Sequence, residues 1–249
     1  MAVHVEAHGD HVRVLTIDRP ERRNALDRET LGQLEAAIVG ADVRVLVLRG
    51  AGGHFCAGAD LAGVEDAGFA TVLKGVLTAL RDAPFPTIAA VEGAALGAGT
   101  QLAVACDLRT AVGTAVFGIP AAKLGLMVDH WTVQRLALLA GHGPARAMLL
   151  AADVVNGQDA HSLGLVQRGA RSTMPSVGRR DRHPGWLTIA GHKLMLNHIE
   201  ADPAPTRPWP LRSPRPGTAR TSPRAWPLSA NTASPPSEAA EAQFRPACP

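Results

Sequence analysis

The sequence has only three cysteines in 249 residues, Cys56, Cys106 and Cys248, too few and too scattered for a disulfide framework or a metal knuckle. Its ten histidines show no metal-ligand spacing, so no metal site is expected. No apolar run approaches the roughly 18 residues of a membrane-spanning helix. The opening stretch MAVHVEAHGDHVRVLTI lacks a basic segment followed by an apolar one, which argues against a secretory signal. These absences make a cytoplasmic protein the default expectation. An apolar fraction of 46% and a charged fraction of 19% are those of a globular chain.

Most of the chain also lacks excess charge. The pI of 9.1 invites a nucleic-acid reading. Residues 1–168, however, hold 14 Lys/Arg against 17 Asp/Glu, a net of −3, while residues 169–249 hold 11 against 5, a net of +6. The basicity belongs to the C-terminal third alone, which lacks the interleaved aromatics of a single-strand binder. No nucleic-acid partner is expected.

What is present reads as alternating strands and helices. His11–Asp18 alternates apolar and polar residues and ends at Arg19-Pro20, a strand followed by a turn. Asp27 is placed to cap a helix whose Leu31, Leu34 and Ile38 fall at helical spacing. Strands are expected at Val43–Arg49, Thr87–Val91 and Leu108–Val112, with helices over Ala70–Arg81, Trp131–Leu139 and Pro144–Leu150. The small-residue segment after Glu92-Gly93 opens a further helix. Repeated strand–turn–helix units make the fold α/β.

The composition changes near Arg168. Fourteen of the 19 prolines lie at or beyond residue 169, and 12 of those lie in 201–249. Such a segment forms neither helix nor central strand. A helical island, Gly185–Glu200, interrupts it, with Ile189, Leu194, Leu196 and Ile199 at helical spacing. Residues 1–168 are therefore expected to form the core. Residues 169–249 form an atypical Pro/Arg-rich region, read either as a disordered tail or as 169–184 and 201–249 translated out of frame around an in-frame island. The two readings differ in what the other frames of the gene encode.

Three segments carry a resemblance: Asp18–Leu26 (DRPERRNAL), His54–Leu61 (HFCAGADL) and Ala89–Leu136, which contains AAVEGAALGAGTQLAVACDLR, FGIP, GL and QRL. In this order and spacing they resemble the crotonase (enoyl-CoA hydratase/isomerase) superfamily. Asp107–Leu150 is locally similar to mycobacterial-type members that bind acyl-CoA without the hydratase acids. The resemblance implies a spiral of repeated ββα units and a site for an acyl-CoA or enoyl-CoA thioester. It also implies an oxyanion hole from the backbone N–H groups of Ala59 and Ala98, and CoA contacts from Arg22, Arg23, Ala57 and Asp60. The physical case runs in parallel. Reaction at Cα or Cβ of a thioester puts enolate-like charge on its oxygen, and two backbone N–H groups stabilise that charge without a charged side chain. Small-residue turns let backbone approach a ligand closely, and a following helix adds its N-terminal dipole.

Hydration needs one group to activate water and another to deliver a proton. Where the family's hydratases carry their two glutamates, this sequence has Gln101 and Ala121. An amide positions water or substrate but accepts no proton near neutral pH. Asp129, in GLMVDHWTVQRL, resembles the aspartate of dienoyl-CoA isomerases, whose partner glutamate falls on Ala121. A helix N-cap ahead of Trp131 explains Asp129 equally well. His130 is its neighbour, but adjacent helical residues diverge by about 100°. Cys56 and Cys106 read as small buried residues.

Three functional readings follow. The first is thioester binding in fatty acid or lipid metabolism with weak or no hydratase activity. The second is an active enoyl-CoA hydratase (a lyase) or isomerase using Asp129. The third is a non-functional product of a frameshifted gene. No cofactor is expected beyond the coenzyme A of the substrate itself. The family implies a homotrimer or hexamer, provided the C-terminal third allows it.

Overall fold

The computed structural model describes residues 1–9, 11–60, 67–169 and 186–200. In chain order the elements are β1 Val3–His8, β2 Val12–Ile17, α1 Arg28–Val39, β3 Val45–Gly50, α2 Ala67–Asp82, β4 Thr87–Val91, β5 Ala94–Leu96 and α3 Ala98–Ala105. They continue as β6 Leu108–Ala111, β7 Val116–Gly118, α4 His130–Ala140, α5 His142–Arg146, β8 Val154–Asn156, α6 Gly157–Ser162, β9 Arg168–Gly169 and α7 Trp186–Glu200. Short 3-10 turns occupy Pro20–Arg22 and Pro120–Leu124, each opened by its proline.

Six strands form one sheet in the order β1-β2-β3-β4-β6-β9, parallel except for the β1–β2 pair. A second sheet, β5-β7-β8, lies beside it. The chain alternates between the two: β4 enters the large sheet and β5 the small one, then α3 returns to start β6 and β7. Cys56, just after β3, extends the small sheet by a parallel bridge to Ala95. This is the spiral of ββα units that the sequence resemblance implied.

Local chemistry explains the elements. Asp27 caps α1, its carboxylate accepting the Thr30 N–H at 2.8 Å, and the helix buries Leu31, Leu34 and Ile38 as their spacing predicts. β3 and β4 are apolar on both faces, as strands of a covered parallel sheet require. All eight residues of α3 are buried, which its composition of small and aliphatic residues permits. Arg109, 1% exposed, closes the C-terminal end of α3. Its guanidinium donates to the carbonyls of Ala103, Cys106, Asp107 and Leu165 and to the Gln167 side chain. A cation among helix C-terminal carbonyls satisfies both charge and donors.

Several expectations need adjustment. The antiparallel edge strand β1, Val3–His8, was not anticipated; nor was the small sheet, whose three-residue strands show too little alternation to register as a pattern. The helix expected at Pro144–Leu150 begins at His142, with Pro144 in its first turn where a missing N–H is tolerated, and it passes into a single π turn at Ala147–Ala151. The core strand order extends one residue past 168, since Arg168 and Gly169 pair with Thr110 and Ala111. Apart from Gly169, the segments 169–184 and 201–249 read as atypical lie outside the described residues.

The helical island is α7, and it docks on the core through polar groups. The Lys193 ammonium, 7% exposed, donates to the Leu80 and Phe85 carbonyls and to Asp107 Oδ2 at 2.8 Å. Asn197 donates to the Arg81 carbonyl. The last turn of α2 is thus capped by side chains of α7. Removing one partner of a buried ion pair leaves the other unpaired. We expect Lys193→Met to lower stability by about 2 kcal/mol, given the partial exposure of Asp107. A urea midpoint unchanged from the parent protein would show that α7 contributes nothing to the fold.

Candidate functional site

Two turns meet at one point in the fold. Leu26 and Ala59 form a parallel bridge: the Leu26 N–H donates to the Gly58 carbonyl at 2.8 Å, and the Asp60 N–H donates to the Leu26 carbonyl at 2.7 Å. The intervening Ala59 N–H therefore faces away from Leu26 and has no acceptor among the described residues. Ala98 is the first residue of α3. First-turn amides lack partners in their own helix, and none elsewhere in the described residues accepts from Ala98. Gly58, at φ 115°, is the hinge of the juxtaposition: a Cβ there would lie 3.0 Å from the Leu96 carbonyl oxygen and 3.9 Å from Ala98 N. Only glycine brings the strands this close.

Ala59 and Ala98 both line a cavity of about 960 Å³, large enough for a sizeable organic ligand. Its walls are mostly apolar. Phe69, Leu73 and Leu77 come from α2, and Ile119, Leu124, Leu126, Met127 and Val128 from the segment between β7 and α4. Arg22 and Lys74 supply positive charge, both on exposed residues. Asp60 lines the cavity with its carboxylate 3.4 Å from the Arg19 guanidinium.

The polar wall is built by Gln101 and Asp129. Asp129 caps α4, its Oδ1 accepting the Thr132 N–H at 3.0 Å. Its Oδ2 accepts from the Thr132 hydroxyl at 2.6 Å and from Gln101 Nε2 at 3.1 Å. Gln101 Nε2 also donates to Thr132 Oγ1 at 3.0 Å. Asp129 is thus the helix cap that one of its two readings expected, and it also lines the cavity. Ala121, where a second acid was sought, lines the same cavity with a methyl group. His130 turns away from Asp129 and lines a separate cavity of about 830 Å³ with Trp131, Arg81 and residues of α7.

The family model for enoyl-CoA hydratase/isomerase matches residues 8–171. The chain belongs to this family. Its sequence is 44% identical over 161 residues to "Probable enoyl-CoA hydratase echA6" of Mycobacterium tuberculosis, covering 62% of this chain and 66% of that one. It thus spans just under two thirds of that relative's length. It is 37% identical over 166 residues to the crotonyl-CoA hydratase of Syntrophomonas wolfei, covering 62% of this chain and 64% of that protein. Among solved structures, an enoyl-CoA hydratase subunit from Geobacillus kaustophilus matches with a TM-score of 0.73 and 31% identity, covering 82% of this chain and 84% of that one.

The enoyl-CoA hydratase/isomerase signature thus converges on one cavity. Arg22, Ala57, Ala59, Asp60, Ala98, Gln101, Ala121 and Asp129 all line it. Arg23 does not. It adopts left-handed backbone at φ 51° after the 3-10 turn, and its carbonyl accepts the Ala57 N–H at 2.9 Å. Arg23 is exposed, and Arg22 lines the cavity. Sequence reasoning missed Lys74, one charge on an amphipathic helix, and Thr132, whose hydroxyl orders the polar wall. It also missed Asn24, buried at φ 60°, whose amide donates to the Ala51 and His54 carbonyls. Among the described residues no group of three His, Cys, Asp or Glu side chains is placed to hold a metal, and no helix is long and apolar enough to cross a membrane.

Both described cysteines are buried, and burial pushes each thiol up to about 12. At pH 8 only about one in ten thousand would be thiolate. In a Cys248→Ser variant, a thiol reagent at pH 8 should label neither Cys56 nor Cys106 until denaturant is added. Rapid labelling of the native protein would contradict this burial.

Proposed function

We propose that the cavity binds a fatty acyl- or enoyl-CoA thioester, with the thioester oxygen between the Ala59 and Ala98 amides, and that hydration there is weak or absent. The observation supporting this most directly is that two unpaired backbone N–H groups and a large apolar cavity coincide with positions 101 and 121, neither of which carries a carboxylic acid. The oxyanion donors are backbone, so they persist when side chains change. Arg22 and Lys74 would meet CoA phosphates at the mouth, and Ala57 and Asp60 would border the CoA chain. No cofactor beyond the thioester's own coenzyme A enters this reading. Its setting would be fatty acid metabolism in the cytoplasm, and its assembly the trimer or hexamer of the family.

A second reading, turnover through Asp129, is favoured by that carboxylate's place in the cavity wall. Against it, both oxygens already accept hydrogen bonds, from Thr132 and Gln101. Proton transfer to Asp129 would have to break that network.

Calorimetric titration with crotonyl-CoA, run beside a hydration assay, separates these readings. We expect binding with hydration reduced by about 10⁴-fold or more relative to an enzyme with both acids, since each such group contributes about 10²–10⁴-fold. Ala98→Pro removes one amide donor at a helix position that accepts proline and should weaken thioester binding about tenfold, the worth of one net hydrogen bond. A folded protein that binds no thioester would overturn the proposal. Substantial turnover abolished by Asp129→Asn would establish the second reading instead.

A further inference from the structure

The Ala59 amide owes its direction to a short pairing of two turns. The Leu26 N–H donates to the Gly58 carbonyl at 2.8 Å, and the Asp60 N–H donates to the Leu26 carbonyl at 2.7 Å. This bridge lies outside the strands of both sheets, so its alignment needs support of its own. A backbone donor is worth most when it is held in place before the ligand arrives. Whatever keeps Leu26 and Ala59 in register therefore decides how well the amide is aimed.

Arg19 braces that bridge with its side chain. The guanidinium donates to the Ala25 carbonyl at 2.6 Å and to Asp60 Oδ2 at 3.4 Å, and it lies 3.0 Å from Asp27 Oδ2. Ala25 and Asp27 flank Leu26 on one side of the bridge, and Asp60 follows Ala59 on the other. One planar fork thus spans both chains, a reach that the single point of an ammonium does not match. The Arg19 side chain is 17% exposed, which shields the brace from water. Its base is fixed as well. The Arg19 N–H donates to Asn24 Oδ1 at 2.9 Å, and its carbonyl accepts the Asn24 N–H at 2.9 Å. Asn24 is buried and anchored on the Ala51 and His54 carbonyls.

From this we infer that Arg19 is a positioning residue for thioester recognition, aiming the Ala59 N–H through Asp60 although Arg19 is not one of the residues lining the cavity. The inference rests on the thioester reading above and adds a residue that acts on the oxyanion site from behind.

The test compares crotonyl-CoA with free coenzyme A, which has no thioester oxygen, by calorimetric titration of the full chain. The ratio of the two affinities reads the acyl end of the site and cancels contacts to the CoA moiety. In Arg19→Met we expect this ratio to fall about fivefold, most of one net hydrogen bond, with free coenzyme A bound within about twofold of the parent. Arg19→Lys keeps the charge but not the fork and should give an intermediate ratio. Asp60→Ala cuts the same brace from the other end and should lower the ratio as Arg19→Met does. Asp27→Ser keeps a good helix cap and leaves the Ala25 and Asp60 links in place, so its ratio should stay near the parent's. The infrared band of the bound thioester carbonyl, isolated by isotope labelling, gives a second readout. It should move to higher wavenumber in Arg19→Met, because a poorly aimed donor polarises the carbonyl less. A lowered melting temperature with ratio and band unchanged in Arg19→Met and Asp60→Ala would overturn the inference, since a merely structural arginine predicts that outcome. If Arg19→Met does not fold, the ratio and band of Asp60→Ala decide. Failure of the folded parent to bind crotonyl-CoA more tightly than free coenzyme A would overturn the thioester reading itself, and this inference with it.

Discussion

The structure depends on a close approach of two backbones that no side chain could share. Gly58 brings the turn after β3 against Leu96 and the start of α3, and a Cβ on Gly99 would overlap the Cys56 carbonyl. That contact joins the two sheets, because Cys56 pairs with Ala95 across it. It also brings Ala59 and Ala98, whose amides have no acceptor among the described residues, to the wall of one cavity. Around it the chain provides what such an approach needs: a wholly buried helix of small residues behind it, and Arg109 satisfying the far end of that helix. The same constraint that packs the core creates the site.

The chemistry follows from what stands one helical turn along. Hydration asks for groups that change protonation state, and the wall here offers an amide, a methyl group and a carboxylate whose oxygens are engaged. The cavity's polar side is a short network of Gln101, Asp129 and Thr132. Gln101 is neutral and sits 3.1 Å from Asp129. A glutamate in its place would set two carboxylates against each other, and one would have to keep its proton near neutral pH. Asp129 and Gln101 are therefore mutually consistent, and replacing either alone disturbs the other.

Much of this was legible in the sequence, for identifiable reasons. Strands and helices with a full period, such as Thr87–Val91 and the Asp27-capped α1, announce themselves through burial and capping. The glycine-rich turns mark where the unpaired Ala59 and Ala98 N–H groups stand, because close backbone approach depends on small residues in order. The rest was hidden by length or by distance. β5, β7 and β8 are three residues each, too short for alternation to register. Arg23 and Arg22 are indistinguishable as a pair, and only the left-handed backbone at Arg23 separates them. Thr132 matters through a contact with Gln101 31 positions earlier, and Lys74 through the cavity it lines, which no local pattern encodes. Lys193 on α7, whose helical spacing was visible, meets carbonyls more than 100 positions earlier.

The account stands or falls on where a thioester oxygen sits. A crystal structure of the full chain with crotonyl-CoA measures this directly. It should place the thioester oxygen within hydrogen-bond reach of both the Ala59 and Ala98 amides. A thioester bound elsewhere, or bound in this cavity with its oxygen turned away from those two amides, would contradict it.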